Sequence, residues 1–224
     1  MRRRSSPTVS ALVSRSSHAT PSTERGENSG DRTKLAPAGP RIRSNPCQPT
    51  HLVGPPRSGK TTALERTAAS LREDGYSIDG LSCPEIREGG DRVGFEIVRV
   101  GGDERAVMAH VRFESGPRVG TYRVDVSAVD RLSAVALVDA VDRTDVDCLV
   151  IDEIAPMQLE SERFVEATRS ALDSSVPVVA AIKAGPTDGV LGAVKRRSDV
   201  DRFAVDTETR DDLPERLCEW IRTR

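Results

Sequence analysis

HLVGPPRSGKT, residues 51–61, fits the pattern G-x-x-x-x-G-K-[ST] at every fixed position, and the rest of the chain can be placed around it. Gly54 and Gly59 allow the backbone to wrap closely around an anion, so that successive N–H groups point at phosphate oxygens. Lys60 then neutralises the outer phosphates, and the Thr61 hydroxyl can bind Mg²⁺. The stretch therefore predicts a nucleotide-binding phosphate loop between a strand and a helix.

The sequence on either side of the loop favours this interpretation over a chance glycine-rich turn. An apolar strand end, 51–53, precedes the loop, and residues 62–71 follow it with helical spacing. Leu64, Ala68 and Leu71 are predicted to face the sheet, while the N-terminus of the helix points at the anion. The loop residues predicted to contact the nucleotide are Gly54, Pro55, Pro56, Arg57, Ser58, Gly59, Lys60, Thr61 and Thr62.

Charge is distributed unevenly along the chain. Residues 1–47 hold 9 Lys and Arg against 3 Asp and Glu, whereas residues 48–224 hold 24 against 32. The first segment is rich in Ser, Arg and Pro without helix or strand period, which predicts a disordered basic extension. A targeting segment, a wrongly assigned start or a polyanion-binding tail are the alternatives. The acidic remainder is predicted to be the nucleotide-binding domain, and it argues against nucleic acid as the main partner.

Cysteine and hydropathy patterns limit the class of protein further. Cys47, Cys83, Cys148 and Cys218 include no C-x-x-C pair, so neither a zinc site nor a disulfide framework is predicted. Cys148 falls within an apolar run and is interpreted as a small buried hydrophobe. No apolar run approaches the 18 or so residues that cross a bilayer. We therefore expect a reduced, cytoplasmic protein without a membrane partner.

Strand and helix patterns alternate after the phosphate loop. Strands are predicted at 76–83, 92–100, 104–113, 122–126, 147–153, 177–182 and 201–205, and helices at 127–142, 161–172, 190–197 and 211–221. Residues 84–90 are predicted to be a charged turn, and Ser127 to cap the helix that follows it in the chain. The alternation predicts an α/β fold, with a mainly parallel sheet, helices on both faces and an antiparallel excursion at one edge.

A pair of acids ends one of the apolar strands. Asp152 and Glu153 follow the run 149–151, which has the composition of a buried parallel strand. A carboxylate at such a position commonly holds Mg²⁺ in phosphate-loop enzymes, so Asp152 is predicted to share the metal with Thr61. Glu153 is predicted to orient or deprotonate an attacking water. A surface acid paired with an arginine is the alternative for Glu153.

Four blocks in this order resemble one known family. They are GPPRSGKTT (54–62), CPEIREGGDRVGFEIV (83–98), LVIDEIAPMQLES (149–161) and RSDVDRFAVDTETRDDLPE (197–215). The chain from about residue 50 resembles the nucleoside-triphosphatase family described from thermophiles, whose relatives include the human cancer-related nucleoside-triphosphatase. The resemblance implies a RecA-like P-loop fold and Mg²⁺-dependent hydrolysis of nucleoside triphosphates to diphosphate and phosphate. It also implies that a second segment completes the nucleotide site: Leu149, Val150, Ile151, Asp152, Glu153, Ile154, Ala155 and Pro156.

One residue and one longer stretch depart from the pattern of that family. Arg57 stands where many relatives carry a second loop glycine, and residues 183–189 replace a histidine- and arginine-rich stretch. An in-cis cation for the terminal phosphate must then come from elsewhere, with Lys183, Arg196 and Arg197 as candidates. Slow turnover is expected.

Two other functions fit the motifs. One is a small-molecule or nucleotide kinase, which needs an acceptor pocket and an arginine-rich lid, and no lid stands out in the sequence. The other is a nucleotide-gated switch or motor subunit, in which hydrolysis serves a partner. The acidic body counts against a nucleic-acid partner and leaves a protein partner open.

Overall fold

A ten-stranded sheet forms the framework of this protein, seen in a computed structural model that describes residues 48–184 and 189–224. The strands are β1 (Thr50–Gly54), β2 (Ile78–Ser82), β3 (Glu85–Glu88), β4 (Asp91–Arg99), β5 (Arg105–His110), β6 (Arg118–Val119), β7 (Tyr122–Val124), β8 (Cys148–Ile154), β9 (Val178–Lys183) and β10 (Asp201–Ala204). The predicted disordered extension, 1–47, lies outside the described residues.

Helices connect the parallel strands. They are α1 (Lys60–Glu73), α2 (Val126–Ser133), α3 (Asp139–Val141), α4 (Glu162–Asp173), α5 (Gly189–Arg196) and α6 (Leu213–Arg222). A π-helical stretch, Ala134–Val138, joins α2 to α3, and a short 3₁₀ turn, Gln158–Glu160, precedes α4. In the described parts of the chain, none of these helices combines the length and apolar character needed to span a bilayer.

The order of the strands confirms the predicted α/β class. Five strands run parallel in the order β10-β1-β9-β8-β2, and the sheet continues antiparallel through β4, β5, β7 and β6, with β3 paired to β4. One strand, β9, separates the strand before the phosphate loop from the strand that ends in the acid pair. Because parallel strands end at the same edge, both motifs emerge at the carboxyl edge, where open α/β sheets bind ligands.

Two hydrophobic cores, one on each face of the sheet, hold the helices in place. Helices α1 and α6 cover one face, where Leu64, Leu71 and Leu217 are almost fully buried. Helices α2, α4 and α5 cover the other face around Phe164. Strand β8 alternates between the cores, with Val150 in the first and Ile151 in the second. The predicted inward face of α1 is thus confirmed, and Cys148 is buried as predicted.

Two local predictions were wrong. Residues 84–90 include a strand, β3, because its charged side chains suit a sheet edge and therefore mimic the composition of a turn. The Gly89–Gly90 pair is the actual turn between β3 and β4. The cap of α2 is Asp125, whose carboxylate accepts the Ala128 N–H, whereas Ser127 lies inside the helix.

Candidate active site

The phosphate loop links the end of β1 to the start of α1. A Cβ at position 54 would lie 2.4 Å from the carbonyl oxygen of Val205, so only glycine allows the loop to start this close to the end of β10. Gly59 has φ +106°, a left-handed conformation that glycine adopts without strain. No side chain caps α1, and its first turn holds no acid, so its N-terminal N–H groups are available to an anion.

The Lys60 side chain folds back over this loop. Its ammonium donates hydrogen bonds to the carbonyl oxygens of Gly54 and Pro55, both at 3.0 Å, and the residue is 7% exposed. An ammonium has three N–H donors, so one remains for a further acceptor. The phosphate loop therefore surrounds the positively charged ammonium group of Lys60.

The acid pair reaches the same place from β8. Asp152 is 6% exposed, so burial raises its pKa, which the nearby Thr61 hydroxyl lowers in part, while Glu153 is half-buried beside it. The pairing of β8 with β9 shifts register between Ile151 and Ile154, so the two acids together oppose one residue of the neighbouring strand. Such a bulge re-aims side chains at the end of a strand. It turns the acids toward the loop.

The surroundings of Asp152 favour its neutral form. Burial raises its pKa to about 6, with further upward contributions from the charges of Glu153 and Glu65. The hydrogen bond from Thr61 and the charge of Lys60 act in the opposite direction, and the hydrogen bond is the larger of the two. A divalent cation beside this carboxylate would favour its ionised form. The ionised carboxylate of Asp152 would therefore be stabilised by a cation in addition to Lys60.

Asp152→Asn is expected to stabilise the nucleotide-free protein at pH 7.5 by about 3 kcal/mol, following the shift of its pKa from 3.8 to about 6. The raised pKa means that the stability contributed by the protonated form is complete below pH 3.8 and is lost as pH rises through about 6. Asparagine cannot ionise, so the variant escapes this loss. Urea unfolding of both proteins at pH 7.5 and pH 4 measures the difference, which should be small at pH 4.

The wild type and the variant must be compared with each other because the titration of His51 changes protein stability in the opposite direction over the same pH range. Burial lowers the pKa of His51 to about 4, aided by the charges of Arg202 and Arg197, so the fold loses stability as pH falls from 6.5 toward 4. Both proteins keep His51, so their difference isolates Asp152. A variant no more stable than wild type at pH 7.5 would contradict the assigned environment.

A cleft of about 900 Å³ opens above these groups. The predicted residues that line it are Pro56, Arg57, Gly59, Lys60, Thr61, Thr62, Asp152 and Glu153. The remaining loop residues do not line the cleft: Gly54 and Pro55 accept hydrogen bonds from Lys60 through their carbonyl groups. The Ser58 hydroxyl is buried and has no hydrogen-bond partner among the described residues. The motifs that are about 90 residues apart in the sequence therefore meet in one cleft.

Several residues of the second predicted segment do not line the cleft. Leu149, Val150, Ile151 and Ile154 are buried in the two cores, where they fix the strand that carries the acids. Ala155 is also buried, and Pro156 is exposed outside the cleft. Nucleotide contact by these six residues stays a prediction, and what the structure shows is that the apolar run before the acid pair supports the acids from within the sheet.

The structure separates the three predicted candidates for an in-cis cation. Lys183, at the end of β9, lines the cleft. Arg197 does not: it forms ion pairs with Asp173 and Asp199, both at 2.6 Å, and donates to the carbonyl oxygen of Leu172. Arg196 likewise lies outside the cleft lining. Residues 185–188 of the variant stretch lie outside the described residues.

The opposite wall of the cleft comes from the antiparallel excursion. The wall residues are Cys83, Pro84, Glu85, Arg87, Arg92, Phe95, Val119, Gly120, Tyr122 and Met157. Glu85 and Arg87 line this wall and also form an ion pair, in which Arg87 binds the Glu85 carboxylate at 2.5 Å. Arg92 and Phe95 lie within the block 83–98, but the sequence assigned no role at the site to them or to Tyr122. Only the pairing of the strands brings them to the site.

A segment after β10, within the block 197–215, also approaches the phosphate loop, although the sequence assigned it no role there. The Arg210 side chain would lie 3.5 Å from a Cβ placed on Gly59. The preceding turn is fixed by Asp206, whose carboxylate accepts N–H groups of Glu208 and Thr209. This segment therefore forms the wall of the loop on the side away from the acid pair.

Comparison with known proteins places the fold in a family. A family model described as NTPase matches residues 50–218. The nucleoside-triphosphatase THEP1 of Methanopyrus kandleri is 41% identical over 171 residues, which cover 76% of this chain and 93% of that protein. The human cancer-related nucleoside-triphosphatase is 32% identical over 178 residues, covering 72% of this chain and 90% of that protein.

Solved structures agree with the sequence matches. The solution structure of a human cancer-related nucleoside triphosphatase has a TM-score of 0.66 and 28% identity, covering 79% of this chain and 98% of that chain. The crystal structure of THEP1 from the hyperthermophile Aquifex aeolicus has a TM-score of 0.65 at 24% identity, a likeness that concerns the fold alone. The resemblance drawn from the four sequence blocks is thereby confirmed, and the chain belongs to the NTPase family that includes the THEP1 nucleoside-triphosphatases.

Proposed function

We propose that this protein hydrolyses nucleoside triphosphates, namely ATP, GTP, CTP and UTP, to the diphosphate and phosphate, with Mg²⁺ as cofactor. The observation that carries the proposal is the meeting of the phosphate loop and the acid pair in one cleft, which Lys60, Thr61, Asp152 and Glu153 line together. The printed names of the THEP1 and human relatives, all nucleoside-triphosphatases, support the same reaction.

The loop supplies the positive charge for the triphosphate. Lys60 is held by two carbonyl groups with one donor left, and the open N-terminus of α1 adds backbone N–H groups. These donors are fixed before substrate arrives, so they cost no reorganisation when charge develops on the phosphates. Lys60 and the loop amides therefore bind the phosphates and stabilise the transferred group.

The residues present fit a magnesium ion. Thr61 and Asp152 offer a hydroxyl and a carboxylate oxygen in the same cleft, the hard donors that Mg²⁺ prefers. Within the described residues there is no cluster of three or more acids, histidines or cysteines, as fits an ion completed by phosphate oxygens and water. When bound, Mg²⁺ would neutralise charge on the outer phosphates. Thr61 and Asp152 would hold it.

Glu153 is the proposed general base. Its carboxylate lies next to Asp152 at the cleft and is half-buried, so it is accessible to a water molecule. The oxygen of that water attacks the γ-phosphorus, and the bond from phosphorus to the β–γ bridging oxygen breaks. The water proton passes to Glu153, and the nucleoside diphosphate leaves with the electron pair.

Phosphate release from each of the four nucleotides, with Mg²⁺ and with excess chelator, tests this function. We expect turnover of all four with Mg²⁺ and loss of at least about 100-fold when the metal is removed. No acceptor is added, so a kinase would release little phosphate. Absence of turnover under all conditions would refute the proposal, as would activity that requires added RNA, DNA or protein.

We also propose a cytoplasmic location and no nucleic-acid partner. The acidic body supports this, because residues 48–224 carry 32 acids against 24 basic residues.

A further inference from the structure

Hydrolysis places negative charge on the terminal phosphate that Lys60 alone does not cover. Phosphate-loop enzymes commonly add an arginine at this point, which raises turnover by about 10³–10⁵-fold. Arg197, one of the predicted candidates, is committed to Asp173 and Asp199. A different cation that lines the cleft must then stabilise the charge of the terminal phosphate.

The hairpin of β3 and β4 begins next to the acid pair. Ser82, at the end of β2, pairs with Asp152 in the sheet, where neighbouring strands are about 4.8 Å apart. Three residues later the chain enters β3, and Glu85 pairs with Phe95 of β4. The hairpin residues that line the same cleft as Asp152 and Glu153 are Glu85, Arg87, Arg92 and Phe95.

Arg92 is held in that wall by three contacts. Its Nε donates to the Tyr122 hydroxyl at 3.1 Å, and its Nη1 donates to the Glu85 carboxylate at 2.7 Å. The guanidinium lies 5.1 Å from the centre of the Phe95 ring, a cation–π distance. Within the described residues, Nη2 has no hydrogen-bond partner, so one corner of a fixed guanidinium remains free in the cleft.

The neighbouring Arg87 differs in this respect. Its Nε and Nη2 donate to Glu85, and its Nη1 donates to the Gly90 carbonyl oxygen. All three nitrogens are therefore engaged within the hairpin. The Glu85 carboxylate forms ion pairs with both Arg87 and Arg92, so it balances part of their charge and fixes their positions.

We propose that Arg92 contacts a non-bridging oxygen of the terminal phosphate during hydrolysis, with Glu85 and Tyr122 as positioning residues. The inference rests on the proposed function and adds the source of the cation that the sequence could not identify. The reaction is unchanged: water attacks the γ-phosphorus, the bridging bond breaks, and Arg92 stabilises the transferred phosphoryl oxygens.

Arg92→Ala and Arg105→Ala form a matched pair for the test. Arg105 is an exposed arginine on the adjacent strand β5, paired with Glu96 and outside the cleft. With Mg²⁺ and ATP, we expect R92A to lower kcat at least about 100-fold, with KM changed less than about threefold, and R105A to match wild type. Guanidinium ion in the assay should restore part of the activity of R92A alone.

A ground-state and transition-state comparison separates contact from a structural role. R92A should bind Mg²⁺ and ADP as wild type does but lose affinity for the complex with aluminium fluoride, which mimics the transferred phosphoryl group. Tyr122→Phe removes one positioning bond, and kcat should fall about tenfold without a change in melting temperature.

The outcomes distinguish the two proposals. If wild type shows no turnover, the proposed function fails. If wild type is active and R92A keeps its kcat and its aluminium fluoride affinity, Arg92 is not the cation, and a large loss in Lys183→Ala would assign that role to Lys183. Equal losses of ADP binding and kcat in R92A would also overturn the inference, because they indicate a structural role.

Discussion

Lys60→Ala is expected to abolish both nucleotide binding and hydrolysis. The ammonium is almost fully buried between two loop carbonyl groups, so its removal leaves the triphosphate without its main cation and the loop without two hydrogen bonds. Charge-assisted contacts of this kind predict an affinity at least about 100-fold weaker. Titration calorimetry with a non-hydrolysable ATP analogue and a phosphate-release assay measure the two effects.

Lys195→Ala is the matched control for this change. Lys195 lies in the last turn of α5 and outside the cleft, so its loss should leave both measurements as in wild type. If K60A bound the analogue within about threefold of wild type, the loop would not be the phosphate site.

Glu153→Gln is expected to separate binding from chemistry. Glutamine keeps the size and hydrogen-bonding reach of the side chain but cannot accept the proton of the attacking water. We expect kcat to fall about 10²–10⁴-fold, with the affinity for Mg²⁺ and ATP within about threefold of wild type. Single-turnover measurements together with binding titrations give both quantities.

Glu166→Gln provides the comparison, since this exposed acid on α4 lies away from the cleft. Turnover of E153Q at the wild-type rate would show that Glu153 is not the base. A parallel loss of affinity and turnover would show that its carboxylate serves the bound ligand instead.

The parts of this molecule that depend on local sequence could be predicted. The helix after the phosphate loop has its apolar residues at helical spacing, and Leu64, Ala68 and Leu71 are buried as expected. The run 149–151 reads as a buried parallel strand because apolar residues face both cores. The position of the acid pair at the carboxyl edge of the sheet then follows, because parallel strands end at the same edge.

The opposite wall could not be predicted because it depends on non-local pairing. Arg92 and Tyr122 are 30 residues apart, and their hydrogen bond exists only because β5 lies between their strands in the sheet. Strand β3 is charged like a turn, so its composition hid the hairpin. The Asp125 cap was missed by two residues, since aspartate and serine are both good caps and sequence alone does not rank them.

The crystal structure of E153Q with Mg²⁺ and ATP is the most direct test of the proposed site. The triphosphate should lie on residues 54–61 with its outer phosphates at Lys60, and the metal should sit between Thr61 and Asp152. A nucleotide bound anywhere else, or a metal without Thr61 and Asp152 around it, would contradict the proposed site.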